Sequence, residues 1–591
     1  MQSAEKVLGV LHDRGQKGLP CNELYRQMFN KELYLMAYGR IYANHGAMTP
    51  GASAETADGM SEDKIHEIIE AMRAERYRFS PVRRTFIPKK NGKLRPLGMP
   101  TWSDKLVGEV MRLLLEAYYE PQFSDRSHGF RPRRGCHTAL SEVASTWTGT
   151  TWFIEGDISD CFGSLDHDIM IKILAEKIHD NRFLRLIANM LKAGYLEDWK
   201  YHATLSGSPQ GGVVSPILSN IYLNKLDVYV EKVLIPQYTR GKHRHANPEY
   251  ERKRSQMRRA RDGGDHETVR QLRRQLRQIP SGDPQDPGYR RLRYTRYADD
   301  HLLGFTGPKT EAAAIKDQLA RFLRGELALE LNPDKTLITH ARTRAARYLG
   351  YEIIVQHGND RLTNGRRTVN GGVALRVPLD VIKTKRAPYR QRGKPWHRPA
   401  LQNLDDFDIV QAYGAEYRGI TGYYMLAIDV WRLDELRWHA ETSMLKTLGA
   451  KYKSTVPKMA ARYKAKITTP HGLRTCFEAR IRRENKPDLV ARFGGVPLIR
   501  KKDAVLIDRV PARPPAPRKE LIHRLRSRRC ELCSDPAKVV IHQVRKLASL
   551  GQAGAGQPAW AAKMARMRRK TLIVCAPCHD VIHANPVVKV A

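Results

Sequence analysis

"RLRYTRYADDHLLGFTG", residues 291–307, reads as strand, tight turn, strand, with Asp299 and Asp300 at the turn. A second segment, "TWFIEGDIS" (151–159), reads as a buried strand that ends in a carboxylate, Asp157. An Asp-Asp pair by itself is commonly a turn or a helix cap. Two strands that each deliver carboxylates at one end are more specific, because side by side they offer the hard oxygen ligands that Mg²⁺ takes. In-line phosphoryl transfer uses such a cluster. Two divalent cations about 3.5–4 Å apart bridge the attacking oxygen, the transferred phosphate and the leaving group.

Charge supports a phosphate-bearing partner. The 591-residue chain has 102 Lys+Arg against 62 Asp+Glu, a net charge of +40. Each cation that neutralises a phosphate also releases condensed counterions, so a surplus of this size points to nucleic acid before an anionic membrane. Hydrophobic residues make up 41% of the chain, enough for globular cores, and the length implies roughly three to four domains. No run approaches about 18 consecutive apolar residues, so no membrane partner or span is expected. The N-terminus lacks the apolar core of a secretory signal. Of eight cysteines, four are paired as Cys530-x-x-Cys533 and Cys575-x-x-Cys578, a pattern of metal binding in a reducing compartment.

Working outward, residues 1–80 read mostly as helix, including 62–77, preceded by a Gly/Pro/Ser/Thr-rich loop at 44–61. "VRRTFIPKKNGKLRPLGMP" (82–100) reads as a hairpin around Asn91-Gly92. A helix follows from 103, with Ser103 and Asp104 placed to cap it. Between the two carboxylate segments lies a basic insertion, roughly 235–290, read as two charged helices broken at Gly263-Gly264. Its roles as a solvated hairpin and as a nucleic-acid clamp stand about even. Residues 370–450 read as helical, with tyrosines among cations, and the Pro-rich stretch 509–520 as a linker. No fixed-period repeat is found.

Four further motifs narrow the reading: "HGFRPRRGCHTAL" (128–140), "GSPQGGVVSPILSNIYLNKLD" (207–227), "LNPDKTLITH" (331–340) and "ARYLGYEI" (346–353). With Tyr297-Ala298-Asp299-Asp300, the chain resembles the reverse transcriptases encoded by mobile group II introns, the maturases, over roughly residues 20–455. The resemblance implies that Asp157, Asp299 and Asp300 are catalytic and hold two Mg²⁺. It implies that Lys89, Arg95, Ile158, Phe162 and Gln210 bind the incoming dNTP, with Phe162 packing against the sugar and disfavouring a 2′-hydroxyl. Tyr348, Leu349 and Gly350 match the primer grip, and the loop at 44–60 matches an extension that contacts template and primer. Partners implied are group II intron RNA, target DNA, an RNA template with DNA primer, and dNTPs. The location implied is the bacterial cytoplasm, nucleoid- or RNP-associated, with an organellar host left open.

"YGAEYRGITGYYMLA" (413–427) and "SMLKTLGAKYKSTVPKMAARY" (443–463) resemble the family's thumb, or maturase, domain. Gly414, Gly419 and Gly422 would allow close packing there. Tyr417, Tyr423 and Tyr424 favour core packing over base stacking, and Lys446, Lys451, Lys453 and Lys458 suit phosphate contacts. At the C-terminus, Cys530, Cys533, Cys575 and Cys578 suit a structural Zn²⁺. "VVIHQVRKL" and "CAPCHDVIHA" resemble the HNH endonuclease module, which uses one divalent ion and a histidine general base. There His542 and His583 match metal ligands, and His579 is placed to orient a neighbour. The family commonly has two adjacent histidines, the second being the base. Here the pair is His542-Gln543, and an amide cannot accept a proton near neutral pH. The module is therefore expected to bind zinc and DNA but to cut poorly or not at all; the competing reading has His542 itself as the base, or a different alignment of the motif.

The expected fold is α+β and multidomain: a right-hand polymerase with an antiparallel sheet in fingers and palm, a helical thumb, and a small zinc-bearing ββα-metal HNH-like domain. Expected boundaries are 1–80 (N-terminal extension), 81–365 (fingers and palm), 366–455 (thumb), 456–520 (basic DNA-binding region and linker) and 521–591 (HNH-like domain). The expected function is RNA-directed DNA polymerisation with maturase activity in intron mobility. One alternative is a splicing-only RNA-binding maturase with a weak polymerase, which the intact aspartates, Phe162 and Arg95 argue against. The other is a non-intron reverse transcriptase, which usually lacks this thumb and HNH module.

Overall fold

The computed structural model describes residues 2–44, 46–88, 92, 94–204, 206–207, 212–358, 362–363, 366–367, 370–483, 487–506, 516–550 and 557–586. Its centre is a four-stranded antiparallel sheet. Strand Trp152–Gly156 lies between Asp300–Thr306 and Ile338–His340, with Arg291–Tyr297 on the outer side of Asp300–Thr306. Side chains alternate along each strand, so the sheet separates two cores. Ile154, Leu303 and Tyr294 enter one, while Phe153 and Leu302 enter the other. Both faces are covered, which is why these strands read as nearly continuous apolar runs.

The larger core is built on helix Trp102–Tyr119, buried along most of its length. The helix begins one residue before the expected cap. Thr101 is the N-cap, and Asp104 returns the bond in a reciprocal pair: the Asp104 N–H donates to Thr101 Oγ1 (3.2 Å) and that hydroxyl donates to Asp104 Oδ2 (2.7 Å). Helices Ala4–Gln16, Lys31–Ile41 and Ser215–Tyr229 pack on it, and Lys309–Leu327 joins the same core by packing on Ser215–Tyr229 and on strand Trp152–Gly156. The expected helix at 62–77 spans Glu62–Arg73, capped by Ser61, with Ile65, Ile68, Ile69 and Met72 buried. Strands Val82–Pro88 and Leu94–Met99 form the expected hairpin, in register Pro88↔Leu94, and strand Tyr195–Glu197 extends its sheet. The basic insertion is two helices, Pro248–Asp262 and His266–Leu276, broken at Gly263-Gly264 as expected.

Residues 370–450 are not helical throughout. They open with strand Asn370–Arg376, paired to Tyr351–His357, before helices Asp406–Tyr423 and Asp434–Lys451. Sheet Lys464–Thr469, Gly472–Ile481 and Leu489–Gly494 packs on the first of these helices, with Phe477 and Phe493 in one core with Tyr413 and Tyr417. Residues 464–494 thus share the helical unit's core, although the sequence places them in a separate basic region. Gly414 makes that contact possible, since a Cβ there would collide with the Arg492 carbonyl. Gly419 and Gly422 face open space. The Pro-rich stretch expected as a linker lies largely outside the described residues, and helix Ala516–Arg526 follows it.

The C-terminal module pairs strand Val539–Gln543 with Thr571–Cys575 and runs into helix Ala576–Ala584. It is not a tethered bead. Met60–Ser61 adds a third strand to its sheet, with Met60 opposite Ile541, and Val539, Ile541 and Ile573 join the large N-terminal core. Among the described residues, no helix is long and apolar enough to cross a membrane.

Behind the central sheet, Arg296 and Asp227 form an ion pair with both side chains fully buried. Arg296 Nε and Nη2 donate to the two carboxylate oxygens at 2.8 and 2.6 Å, and Tyr294 Oη donates to the same carboxylate at 2.8 Å. Removing one partner of such a pair strands the other charge in low dielectric. Arg296→Ala should cost about 3–5 kcal/mol, read as a lower denaturant midpoint for the polymerase half. The apolar pair Arg296→Met with Asp227→Leu should cost less. A single substitution no worse than the double one would show that the pair does not carry this weight.

Candidate polymerase and metal sites

The turn between Arg291–Tyr297 and Asp300–Thr306 has two loop residues, Ala298 and Asp299, since Tyr297 pairs with Asp300. Ala298 sits at φ 55°, a region that usually costs a side-chain-bearing residue energy. Its neighbours hold it there. Arg296 Nη1 donates to the Ala298 carbonyl at 2.7 Å, and Gly129 lies so close that a Cβ would meet the Ala298 amide nitrogen at 2.4 Å. Across the sheet Gly156 is opposite His301, so Asp157 emerges beside Asp299 and Asp300. Gly156 leaves to the His301 ring the space that a Cβ would take. The structure therefore brings the three predicted aspartates together.

The cluster is crowded with negative charge. Burial, then Asp299 and Asp157, push the Asp300 carboxyl up to about 7. Burial also raises Asp299, with Asp157 adding to the shift. Lys335 Nζ lies 2.7 Å from Asp157 Oδ2, and the Asn332 backbone N–H donates to the Asp157 carbonyl at 2.8 Å. Lys335 belongs to the quoted stretch 331–340, but its position beside Asp157 comes only from the tertiary fold. Three converging carboxylates with too little counter-charge form a donor set that suits hard divalent cations.

The other expected residues fall in several places. Phe162 lies half-buried on the short helix Cys161–Ser164. Gly207 packs against that helix: its N–H donates to the Leu165 carbonyl at 2.7 Å, and a Cβ would meet the Gly163 carbonyl at 2.7 Å. The Ile158 side chain is in the core, so only its backbone can face a nucleotide. Arg95 is exposed on the edge hairpin, opposite Ile87. Lys89 and Gln210 lie outside the described residues. Leu349 and Gly350 form a two-residue turn, both at positive φ, between Ala346–Tyr348 and Tyr351–His357. Tyr423 Oη donates to the Leu349 carbonyl at 2.6 Å and Tyr424 Oη to the Gly350 carbonyl at 3.0 Å. These tyrosines hold that turn, while Tyr417 is core. Lys446 is bonded to the Pro395 carbonyl, and Lys451 to the Leu404 carbonyl and Asp406; Lys453 and Lys458 are exposed.

In the C-terminal module, one sulfur from each of Cys530, Cys533, Cys575 and Cys578 lies within 4.8 Å of the others, a set compatible with zinc. Burial would raise the Cys530 thiol. Backbone N–H groups of Cys533, Cys575 and Leu532 outweigh it and draw the thiol down to about 6, toward the thiolate that binds metal. A second set joins His542 and His583 with His579 and with Asp58, from the N-terminal loop. Sequence reading placed His579 as an orienting residue and did not single out Asp58. Gln543 faces away from this set: its Nε2 donates to the Tyr42 carbonyl at 2.7 Å.

A model of reverse transcriptases (RNA-dependent DNA polymerases) matches residues 87–240, one of type II intron maturases matches 379–495, and one of AI2M/AI1M-like HNH endonucleases matches 530–579. The "group II intron-encoded protein LtrA" of Lactococcus lactis subsp. cremoris is 37% identical over 95% of this chain and 96% of its own length. The chain belongs to the group II intron-encoded proteins. It is an RNA-directed DNA polymerase with maturase and HNH regions in the same polypeptide. Fungal relatives are more distant and longer. The "putative COX1/OXI3 intron 1 protein" of Saccharomyces cerevisiae is 30% identical over 95% of this chain and 69% of its own. The "uncharacterized 91 kDa protein in cob intron" of Schizosaccharomyces pombe is 31% identical over 95% and 70%. In this group II intron protein the reverse transcriptase match stops at 240, at the start of the basic insertion, and pairing across the sheet returns Asp299 and Asp300 to Asp157.

The raised Asp300 carboxyl gives a testable pH dependence. The unfolded chain releases this proton near 3.8, the folded metal-free chain near about 7. Between those values the folded state binds more protons, so stability falls as pH rises and levels off above about 7. Asp300→Asn removes that fall. Its metal-free melting temperature should exceed wild type at about pH 8 and converge with it at about pH 4, a difference of ~1 kcal/mol being roughly 2–4 °C. A constant gap across this range would count against the crowding.

Proposed function

We propose that this intron-encoded polymerase copies intron RNA from a primer at a DNA target, in a right-hand architecture. Fingers and palm occupy about 81–365 and the helical thumb follows. The observation that carries the reading is the register Gly156↔His301, which sets Asp157 beside the Asp299-Asp300 turn. Two Mg²⁺ held by these carboxylates would supply the charge that activates the primer 3′-oxygen and neutralises the leaving pyrophosphate. The protein's own part is positioning. Arg296 and Gly129 hold the turn, and Lys335 places a positive charge beside Asp157. Phe162 stands at the deoxyribose, and Arg95 and Lys89 meet the triphosphate. Tyr348, Leu349 and Gly350 steady the primer strand, held from the thumb by Tyr423 and Tyr424. The exposed cations Lys453 and Lys458 suit intron RNA phosphates, and the four cysteines suit a structural Zn²⁺.

For the HNH region the proposal is impaired cutting. The residue after His542 is an amide, buried and bonded to the Tyr42 carbonyl. It can neither accept a proton near neutral pH nor reach solvent as it stands.

Primer extension on an RNA template tests the polymerase reading. Asp157→Ala and Asp299→Ala should each lower dNTP incorporation about 10³-fold, ~4 kcal/mol of transition-state stabilisation, with intron RNA binding retained. Absence of incorporation by the wild-type protein would sink the reading. For the zinc site, Cys530→Ser should remove the tightly bound zinc and lower the melting temperature of the C-terminal module without changing primer extension. For the nuclease, a supercoiled target plasmid with Mg²⁺ should stay uncut by wild type. Robust nicking abolished by His542→Ala would overturn the impairment.

A further inference from the structure

Asp58 reaches the nuclease region from the far end of the chain. The N-terminal loop that carries it runs along helix Trp102–Tyr119, where Lys105 Nζ donates to the Gly46 and Thr49 carbonyls at 3.0 and 2.9 Å. It ends in Met60–Ser61, the strand added to the C-terminal sheet, and the Gly59 N–H donates to the Ile541 carbonyl at 2.9 Å. This pairing carries the Asp58 carboxylate into the space between His542, His579 and His583. Oδ1 lies 3.1 Å from His542 Nδ1 and 3.4 Å from His579 Nε2, and Oδ2 lies 2.8 Å from His583 Nε2. His579 and His583 stand one turn apart on helix Ala576–Ala584, with their Nε2 atoms 3.3 Å apart.

Two features separate this set from an ordinary ion-pair cluster. His542 is 5% exposed; Nδ1 has Asp58 Oδ1 at 3.1 Å without an aligned hydrogen bond, and Nε2 has no hydrogen-bond partner among the described residues, an expensive arrangement for a buried imidazole unless a metal takes one lone pair. Four ligand atoms, one per residue, lie within 4.8 Å of one another. Three imidazoles and a carboxylate are the donor set of a zinc-class divalent ion, and four protein ligands fill a tetrahedral site, as in closed structural sites.

We propose that Asp58 is the fourth ligand of the nuclease-region metal, supplied by the polymerase half, so that one zinc-class ion ties the two ends of the chain together and has no open position in this arrangement. The inference goes beyond an HNH metal held by the module's own histidines. A catalytic metal must keep a place for substrate or water, so DNA could reach this ion only by displacing Asp58. A nucleic acid that drew Asp58 away would open a place on this ion, which makes the loop a latch over the metal site.

The test uses the full-length chain with zinc retained at the four cysteines and Co²⁺ as the probe. Wild type should bind one Co²⁺ with the visible spectrum of a four-coordinate ion. Asp58→Asn keeps an oxygen that can accept from the Gln543 N–H, which donates to Asp58 Oδ1 at 2.6 Å, but it is a poor ligand. It should keep the metal-free melting temperature, weaken Co²⁺ binding at least about tenfold and shift the spectrum toward a higher-coordinate, water-bearing ion. His579→Ala should weaken binding as well. Hydrogen exchange gives a readout independent of cutting: Co²⁺ should slow exchange at Gly59 and Ile541 in wild type and leave it unchanged in Asp58→Asn. If Asp58→Asn binds Co²⁺ with wild-type affinity and spectrum while His579→Ala does not, the nuclease region holds its ion without Asp58 and the latch is wrong. Failure of wild type to bind Co²⁺ beyond its zinc would overturn the site itself, with the polymerase reading untouched.

Discussion

The polymerase centre depends on one buried charge pair. Arg296 is fully enclosed, and its guanidinium makes five contacts to four residues on three segments of chain: both oxygens of Asp227, the Ala298 carbonyl, Ser127 Oγ at 2.9 Å and Asn220 Oδ1 at 3.2 Å. Ser127 and Asn220 are far apart in sequence, and Asn220 Nδ2 in turn donates to the Gly129 carbonyl at 2.9 Å. Gly129 is the residue pressed against the catalytic turn. An apolar replacement of this pair could match its stability. It could not match its directionality. A planar fork with fixed donor angles sets where the Ala298 carbonyl lies, and so where Asp299 and Asp300 point.

This explains why the catalytic aspartates were legible in the sequence while their supports were not. Asp157, Asp299 and Asp300 sit at the ends of strands whose apolar runs announce them, and two such strand ends together are more specific than either alone. Arg296 lies within the same quoted segment, yet a cation in a strand ordinarily signals a solvent-facing position. Nothing local says that it is buried, because its partner Asp227 is 69 residues away along the chain. Lys335 and Asp58 were missed for the same reason. Local pattern reports the strand, turn and helix, whereas the partner of a charged side chain is a fact of tertiary structure. The tyrosines show the converse. Tyr423 and Tyr424 were read as packing residues, and they do pack, but their hydroxyls also reach the carbonyls of the Leu349-Gly350 turn, which spacing along a helix cannot reveal.

Domain boundaries were the least legible feature, and the physical reason is shared burial. Composition marks residues 456–520 as basic, and they are, but alternate residues of the sheet at 464–494 are apolar and complete the helical unit's core. Charge describes the outer face of that sheet and apolar alternation the inner one. A reading based on net composition sees only the first. The C-terminal module repeats the lesson: its cysteines and histidines mark a compact metal-bearing unit, yet Val539, Ile541 and Ile573 belong to a core whose other members lie mostly between Ala4 and Leu329.

That shared core bears on how one chain can keep two metal chemistries apart. The polymerase carboxylates are crowded and carry too little counter-charge, so they favour arriving cations. The histidine set offers softer ligands and, with Asp58 included, a complete inner shell. Ligand type therefore sorts the ions: hard, weakly held magnesium suits the three aspartates, and a tighter zinc-class ion suits the imidazoles. Geometry then sorts availability, because the first site is open and the second is filled from within the chain. The loop that fills it is anchored at both ends, by Lys105 on one side and by the Met60 strand pairing on the other. Withdrawal of Asp58 alone is thus hindered, and the loop and its added strand must leave together. Opening of the nuclease site is then a cooperative event rather than the motion of a single side chain.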